Sequence, residues 1–365
     1  MLLTCRCPWT AFTFRRNARS WFKKRDMQEM AEYRQLGKSG LRVSVPIFGG
    51  MSLGSSSWIP WALGGEEAET LLKSAWDLGI NTIDTADVYS NGESERIVAG
   101  FMEKNQIPRK NMVIMTKIKF LVAPDPGTFT FGAGLDNKRD FVNTSGLSRV
   151  AIMNSVEASL GRLKTNYIDV LQVHEFDDFT PIEETMKALH DLVVCGKVRY
   201  LGACRMKTWQ FAEMNHVAEI HGWTPFVCIQ LEHSLLYRAE EQEMLAYCKY
   251  KGIGVISFSP LLDGHLARPL GTETPRTRAI KGTPFEKARR ASDNLIIKRV
   301  EEIAHKRSWE MSQVALAWSL TKVTSPIVGA NKPDRLPKSV VTGKTLTDAE
   351  IRYLEELYEA QPLRS

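Results

Sequence analysis

Four residues along the chain are of the types that could carry proton chemistry near neutral pH: Asp84, Tyr89, Lys117 and His174. A free phenol has a pKa of about 10, and lowering it by about 3 units takes roughly 4 kcal/mol of preference for the phenolate. One ammonium about 4 Å away supplies about that much at an effective dielectric near 20. Lys117 beside Tyr89 is therefore expected to make the phenol a competent acid near neutral pH. Asp84 would keep Lys117 charged and aimed, and His174 would hydrogen-bond the oxygen that takes the proton. Taken singly, each residue has a plainer reading: an Asp that caps a helix, a solvated Lys, a histidine of the core. What sets the four apart is where they fall.

Asp84, Lys117 and His174 each close a short apolar run, at residues 80–84, 113–117 and 168–174, and Tyr89 lies in the loop after the first of these. Similar runs occupy 200–203, 226–231, 254–258 and 326–328, and a first one ends at Gly49-Gly50. Continuous apolar runs of this length suit parallel strands covered on both faces. Between them the spacing predicts helices: one through Ala68, Leu71, Leu72, Ala75 and Leu78 that stops at Gly79, then helices near 93–104, 149–162, 182–194, 208–221, 239–251 and 311–321. Thr180-Pro181-Ile182-Glu183 has the pattern of a capping box. Two runs around Gly37-Lys38-Ser39-Gly40 predict an N-terminal hairpin.

Eight strands alternating with helices fit either a closed barrel or an open doubly wound sheet. A dinucleotide-binding glycine fingerprint is missing, since Gly252-x-Gly254 is followed by Ser257 where the third Gly would stand. Polar groups also collect at strand after strand's C-terminal end: Asp84, Lys117, His174, Cys204 with Arg205, Gln230, Ser259 and Asn331. The expected fold is therefore α/β, a (β/α)8 TIM barrel with an N-terminal hairpin. Long loops at 121–146 and 261–294 are expected over its C-terminal face. No Cys pair with zinc spacing lies in the body, and His216 and His221 are five apart, so no metal site is expected.

Taken in order, Asp84-Thr85-Ala86-Asp87-Val88-Tyr89-Ser90-Asn91-Gly92, Met115-Thr116-Lys117 and Val173-His174 resemble the aldo-keto reductases. The spacing is most similar to the fungal branch of aryl-alcohol dehydrogenases and versiconal hemiacetal acetate reductase, and the likeness runs from about Tyr33 to about Tyr358. The resemblance implies an NADPH-dependent reductase acting on the carbonyl of an aldehyde or ketone, aromatic or polyketide-like. It assigns NADPH contacts to Gly49, Gly50, Met51, Cys204, Arg205, Gln230, Phe258, Ser259, Leu261, Gly264, Gly329, Asn331, Arg335 and Lys338. The potassium channel beta subunits are related, and they offer another reading as a cofactor-binding regulatory protein. Those proteins carry Asn where this chain has His174. The chain departs from the family's common pattern at Cys204, where Ser is usual, and at Lys338-Ser339, where many members have Glu-Asn. Glu175 and Asp263 stand where close fungal relatives often have Arg.

The net charge of +6 lies entirely in residues 1–26, which hold seven bases against one acid; the remainder is neutral. A neutral body gives no electrostatic reason to expect nucleic acid. Residues 1–29 are expected to be a disordered basic extension ahead of a barrel domain at 30–365, although Arg-rich, acid-poor segments also resemble mitochondrial presequences. The six cysteines show no paired framework. No run is long and apolar enough for a membrane span. The chain is expected in the cytoplasm with a small-molecule carbonyl substrate, and its sequence says nothing of oligomeric state.

Overall fold

A computed structural model describes residues 30–135, 137–283 and 286–364. The expectation for residues 1–29 lies outside the described residues. The strands are β1 (Glu32–Gln35), β2 (Arg42–Val45), β3 (Ile47–Gly49), β4 (Thr82–Asp84), β5 (Val113–Ile118), β6 (Ile168–Val173), β7 (Val198–Cys204), β8 (Phe226–Glu232), β9 (Gly254–Phe258) and β10 (Ser325–Val328). The α-helices are α1 (Gly65–Asp77), α2 (Glu93–Lys104), α3 (Arg149–Leu163), α4 (Ile182–Val194), α5 (Thr208–Ile220), α6 (Met244–Lys251), α7 (Pro275–Ile280), α8 (Ala291–Arg307), α9 (Met311–Ser319) and α10 (Asp348–Glu355). Strands β3 to β10 are parallel and close into an eight-stranded barrel, with β10 pairing both β9 and β3. The fold is a (β/α)8 TIM barrel, and β1 and β2 form an antiparallel hairpin ahead of it.

The hairpin closes the bottom of the barrel. Leu36 and Val43 pack with Ile47, Met115, Val170, Cys228, Ile256 and Ile327 in one buried cluster. The turn at Gly37 has φ 59°, and a Cβ there would lie 2.4 Å from the Gly254 nitrogen, so only glycine lets the hairpin press onto the start of β9. The larger core lies between barrel and helices, where α1 buries Ala68, Leu71, Leu72 and Ala75 and ends at Gly79 with φ 82°.

Three local expectations are corrected. Residues 239–251 split into a 3-10 turn (Ala239–Glu241) and α6. The capping box at 180–183 does not form, because Pro181 is itself the N-cap residue and the Thr180 hydroxyl instead donates to Asp177 Oδ2 at 2.8 Å. The stretch 261–294 contains α7 and the start of α8, whose mixed charges hide its apolar face in the sequence. No helix among the described residues is long and apolar enough to cross a membrane.

Candidate active site

The period of two along each strand stacks a polar layer on the apolar one. Two residues beyond Met115 comes Lys117, beyond Val170 comes Gln172, and beyond Cys228 comes Gln230. Parallel register then sets Lys117 opposite Gln172 and Cys204 opposite Gln230. These side chains converge on Asp84, which is 3% exposed. Its Oδ1 accepts from Gln172 Nε2 at 3.0 Å and Gln230 Nε2 at 2.8 Å, and its Oδ2 accepts from Lys117 Nζ at 2.6 Å. Gln230 Nε2 also donates to Gln172 Oε1 at 3.1 Å. A buried carboxylate with three donors is well satisfied.

The fully buried Lys117 ammonium uses all three of its hydrogens, donating to Asp84, to the Thr85 carbonyl at 2.9 Å and to the Tyr89 hydroxyl at 3.2 Å. Because the phenol oxygen accepts that bond, its own hydrogen is free to point elsewhere. The expected acidity is corrected. Burial raises the Tyr89 pKa, Lys117 pulls it down and Asp84 pushes it up again, leaving it at about 12. The ammonium does not act alone on the phenol: desolvation and the carboxylate 2.6 Å behind the ammonium oppose it. Burial also acts to lower the Lys117 pKa, but Asp84 and its neighbours prevail and hold it above the usual ammonium value. At neutral pH the pair is therefore a neutral phenol and a charged lysine.

His174 follows β6 and takes its place through a backbone bond to the Ile118 carbonyl at 3.0 Å. Burial, then Lys117, Arg205 and Lys119, hold its pKa well below the usual histidine value, so the ring is neutral. Its Nδ1 is buried with no hydrogen-bond partner among the described residues. Beside it Glu175 ion-pairs with Lys119 and Arg205, each at 3.0 Å.

Two residues that sequence reading passed over hold this arrangement together. Ser90 and Asn91 have φ of 47° and 50°, in the left-handed region that non-glycine residues enter at a cost. Ser90 Oγ accepts from the Ser55 nitrogen at 3.0 Å. The Asn91 amide donates to the carbonyls of Asp125 and Thr128 at 2.8 and 2.7 Å and accepts from the Ala123 nitrogen at 3.0 Å. The loop bearing Tyr89 is thus fastened both to the loop after β3 and to the long loop after β5.

Six aromatic rings, Tyr89 and His174 among them, follow one another in a closed cycle of contacts. The neighbouring centroids are Trp58 and Tyr89 at 6.2 Å, Tyr89 and His174 at 6.0 Å, His174 and Phe120 at 4.9 Å, Phe120 and Phe131 at 5.0 Å, Phe131 and Phe129 at 5.3 Å, and Phe129 and Trp58 at 6.3 Å. Phe129 and Phe131 are each 41% exposed, so the collar has an open side. A flat, apolar partner matches such a surface.

The residues assigned to NADPH by resemblance come from the same face. Gly49 ends β3 and Gly50 follows it, and a Cβ on them would come within 2.9 Å of Ile327 Cγ2 and of the Asp84 carbonyl respectively. Met51 packs against the Trp58 cluster together with Tyr89. Gln230 has no amide hydrogen left for a cofactor, since both go to Asp84 and Gln172. Its Oε1 remains, receiving a bond from Cys204 Sγ at 3.9 Å. Phe258 ends β9 and Ser259 follows it, and Ser259, Gly264 and Arg205 take φ of 53°, 93° and 48°. Leu261 packs between two clusters beside them.

After β10 come Gly329, Asn331, Arg335 and Lys338. Residues 333–335 and 337–339 form two separate 3-10 turns, so Arg335 and Lys338 do not share one helix. Lys338 ion-pairs with Glu310 at 3.0 Å, while Arg335 donates to Asn331 Oδ1. A cation missed in the sequence, Arg268, stands near Arg335: burial and the Arg335 charge both lower its pKa. Neither guanidinium has a carboxylate partner among the described residues. Two neighbouring guanidiniums without carboxylate partners suit a phosphate, so this donor set fits the 2′-phosphate end of NADPH.

With that geometry in place, comparison with known proteins agrees. The sequence model of the aldo/keto reductase family matches residues 47–359. An aldo-keto reductase of Metarhizium robertsii is 49% identical over 92% of this chain and 94% of its own length. One of Fusarium vanettenii is 48% identical over 91% and 92%. The versiconal hemiacetal acetate reductase of Aspergillus parasiticus is 46% identical over 90% and 97%.

Proposed function

This chain belongs to the aldo/keto reductase family and is an oxidoreductase, and we propose that it reduces the carbonyl of an aromatic or polyketide-like aldehyde or ketone at the expense of NADPH, in secondary metabolism. The observation that carries the reading is the Tyr89 hydroxyl accepting from Lys117 Nζ at 3.2 Å, on a ring that packs against Trp58. NADPH, when bound, supplies the hydride. Tyr89 donates its proton to the carbonyl oxygen, and the Lys117 ammonium stabilises the phenolate that remains. Neutral His174 hydrogen-bonds the same oxygen and orients it. Asp84, fixed by Gln172 and Gln230, keeps Lys117 charged and aimed. Arg268 and Arg335 would hold the 2′-phosphate, with Ser259, Gly264, Gly329 and Asn331 shaping the path to it. A relative named for reducing versiconal hemiacetal acetate supports the substrate class.

The test is a panel of aromatic and aliphatic aldehydes and ketones with NADPH oxidation followed. Turnover of aromatic members, abolished in Tyr89→Phe, is the expected result. A wild-type enzyme that consumes no NADPH with any carbonyl, while binding it, would leave the channel beta subunit reading as the better one.

A further inference from the structure

The turn that carries Tyr89 rests on a buried ion pair that the reaction itself does not touch. Glu95, in the first turn of α2, is fully buried; its Oε2 accepts from Arg162 Nε at 2.6 Å and its Oε1 from Thr116 Oγ1 at 2.6 Å. Thr116 precedes Lys117 in β5. The route from Tyr89 along the chain to Glu95, across to Thr116 and on to Lys117 therefore closes on the bond between Lys117 Nζ and the phenol. Ser94 ties the same helical turn to the Gly50 carbonyl and shares a hydrogen bond with the Thr85 hydroxyl, which leaves Glu95 to fix the approach to β5. Arg162 reaches in from α3. Its Nη2 donates to Ser159 Oγ at 3.0 Å, and its stem fills the space beneath Gly92, where a Cβ would lie 2.3 Å from Arg162 Cδ. Asp87 is also fully buried, with neither carboxyl oxygen bonded among the described residues; burial and Glu95 raise its pKa well above the usual carboxylate value against the pull of Arg162. The guanidinium thus acts on both carboxyls that flank Tyr89 in the chain.

We propose that Arg162 is a positioning residue for the proton transfer: by holding Glu95 against Thr116 it sets the Tyr89 hydroxyl at bonding distance from Lys117 Nζ. The proposal rests on the reductase reading. A carboxylate taken out of water needs its cation, and without Arg162 the Glu95 side chain would take up a proton or turn away, freeing the first turn of α2 to move off β5. Proton transfer is sensitive to such a shift, since a misplacement of about 1 Å can cost about a hundredfold in rate. NADPH affinity is less so, because Arg268 and Arg335 stand on the loops after β9 and β10.

The experiment measures kcat for carbonyl reduction, the dissociation constant of NADPH and the pH profile of alcohol oxidation in wild type, in Arg162→Ala, and in Arg162→Ala with millimolar guanidinium chloride. The Arg162 side chain is 12% exposed and lines a cleft between α2 and α3 with Gly100, Ala158 and Gly161, so the small ion can reach its place. In Arg162→Ala kcat should fall about ten- to hundredfold while NADPH binds nearly as before. Alcohol oxidation should need a higher pH, because the phenolate loses its close cation, and guanidinium should restore part of kcat. An unchanged kcat, or a loss matched by an equal loss of NADPH affinity, overturns the proposal. Should the variant not fold, Thr116→Val removes one bond to Glu95 and leaves the ion pair, and kcat should fall about three- to tenfold, as expected for one neutral hydrogen-bond donor lost; an unchanged kcat there overturns the proposal as well. A wild type that reduces no carbonyl overturns the reductase reading and the proposal with it, whereas turnover in wild type and undiminished turnover in the variants overturn the proposal alone.

Discussion

The Gln230 amide donates to Asp84 Oδ1 at 2.8 Å, joining residues 146 positions apart across the inside of the barrel. The bond turns a cofactor candidate into part of the acid's support, because the amide that holds Asp84 also donates to Gln172. Gln230→Leu would leave Asp84 Oδ1 with one donor and the Gln172 carbonyl oxygen with none. Unsatisfied buried acceptors cost about 1–3 kcal/mol. The variant is expected to melt lower by several degrees and to lose kcat as Lys117 loosens. Unchanged melting with a raised KM for NADPH alone would assign Gln230 to the cofactor and not to Asp84.

The raised phenol pKa has a direct consequence for pH dependence. Reduction needs the proton on Tyr89 and the charge on Lys117, and both forms persist until the pH approaches about 12. Burial and the nearby cations hold the His174 pKa well below its usual value, so the ring is neutral at neutral pH. The rate of carbonyl reduction is therefore expected to be flat from about pH 6 to 9, while oxidation of the corresponding alcohol, which needs the phenolate, should climb across that range. A reduction profile with a limb near pH 7 would show that the bound cofactor brings the phenol down to where Lys117 alone was expected to put it.

Asn91 makes three hydrogen bonds from a left-handed backbone to the loop that carries Phe129 and Phe131. Asn91→Ala removes all three and keeps the unfavourable φ. The barrel itself does not depend on them, so the expected loss is local: a fall in kcat/KM of about tenfold or more for aromatic substrates, with faster amide exchange at 121–131 and at most about 3 kcal/mol of stability. Unaltered exchange in that segment would mean that the aromatic loop holds its place without Asn91.

Asp84, Lys117 and His174 were legible in the sequence because each interrupts or ends an apolar run, and Tyr89 because it follows one so closely. Gln172 had the same signal, a polar residue two positions before His174 in a buried strand, and could have been found from the strand period. Ser90 could not, since nothing in its type announces a positive φ, whereas Asn91, of a type enriched in the left-handed region and followed by Gly92, carried a weak signal. Trp58 and Arg268 depend on the paths of long loops, which fix no periodicity. The phenol's acidity was misjudged for a related reason: burial is a property of the assembled site, and a list of nearby charges does not contain it. The barrel itself was read correctly because eight apolar runs and their glycine stops need no knowledge of the loops.

Cofactor choice provides the last prediction. A 2′-phosphate brings about two negative charges to the adenosine end, and a site selecting it must place cations there, preferably planar forks. Lys338 is taken by Glu310, whereas Arg268 and Arg335 stand near each other without carboxylate partners among the described residues. Holding two guanidiniums together is unfavourable until an anion arrives between them, so binding the phosphate relieves repulsion as well as forming bonds. A charge-assisted hydrogen bond contributes roughly 1.5–3 kcal/mol. Arg335→Ala and Arg268→Ala are each expected to weaken NADPH about ten- to hundredfold and to leave NADH nearly unchanged, while Lys338→Ala should affect neither cofactor by more than about threefold. Because the two arginines act on one group, the double variant should lose less than the product of the single losses. Dissociation constants from fluorescence titration would decide the matter. Equal losses for NADPH and NADH would take the phosphate away from this pair, and a large effect of Lys338→Ala would show that its bond to Glu310 opens when the cofactor binds.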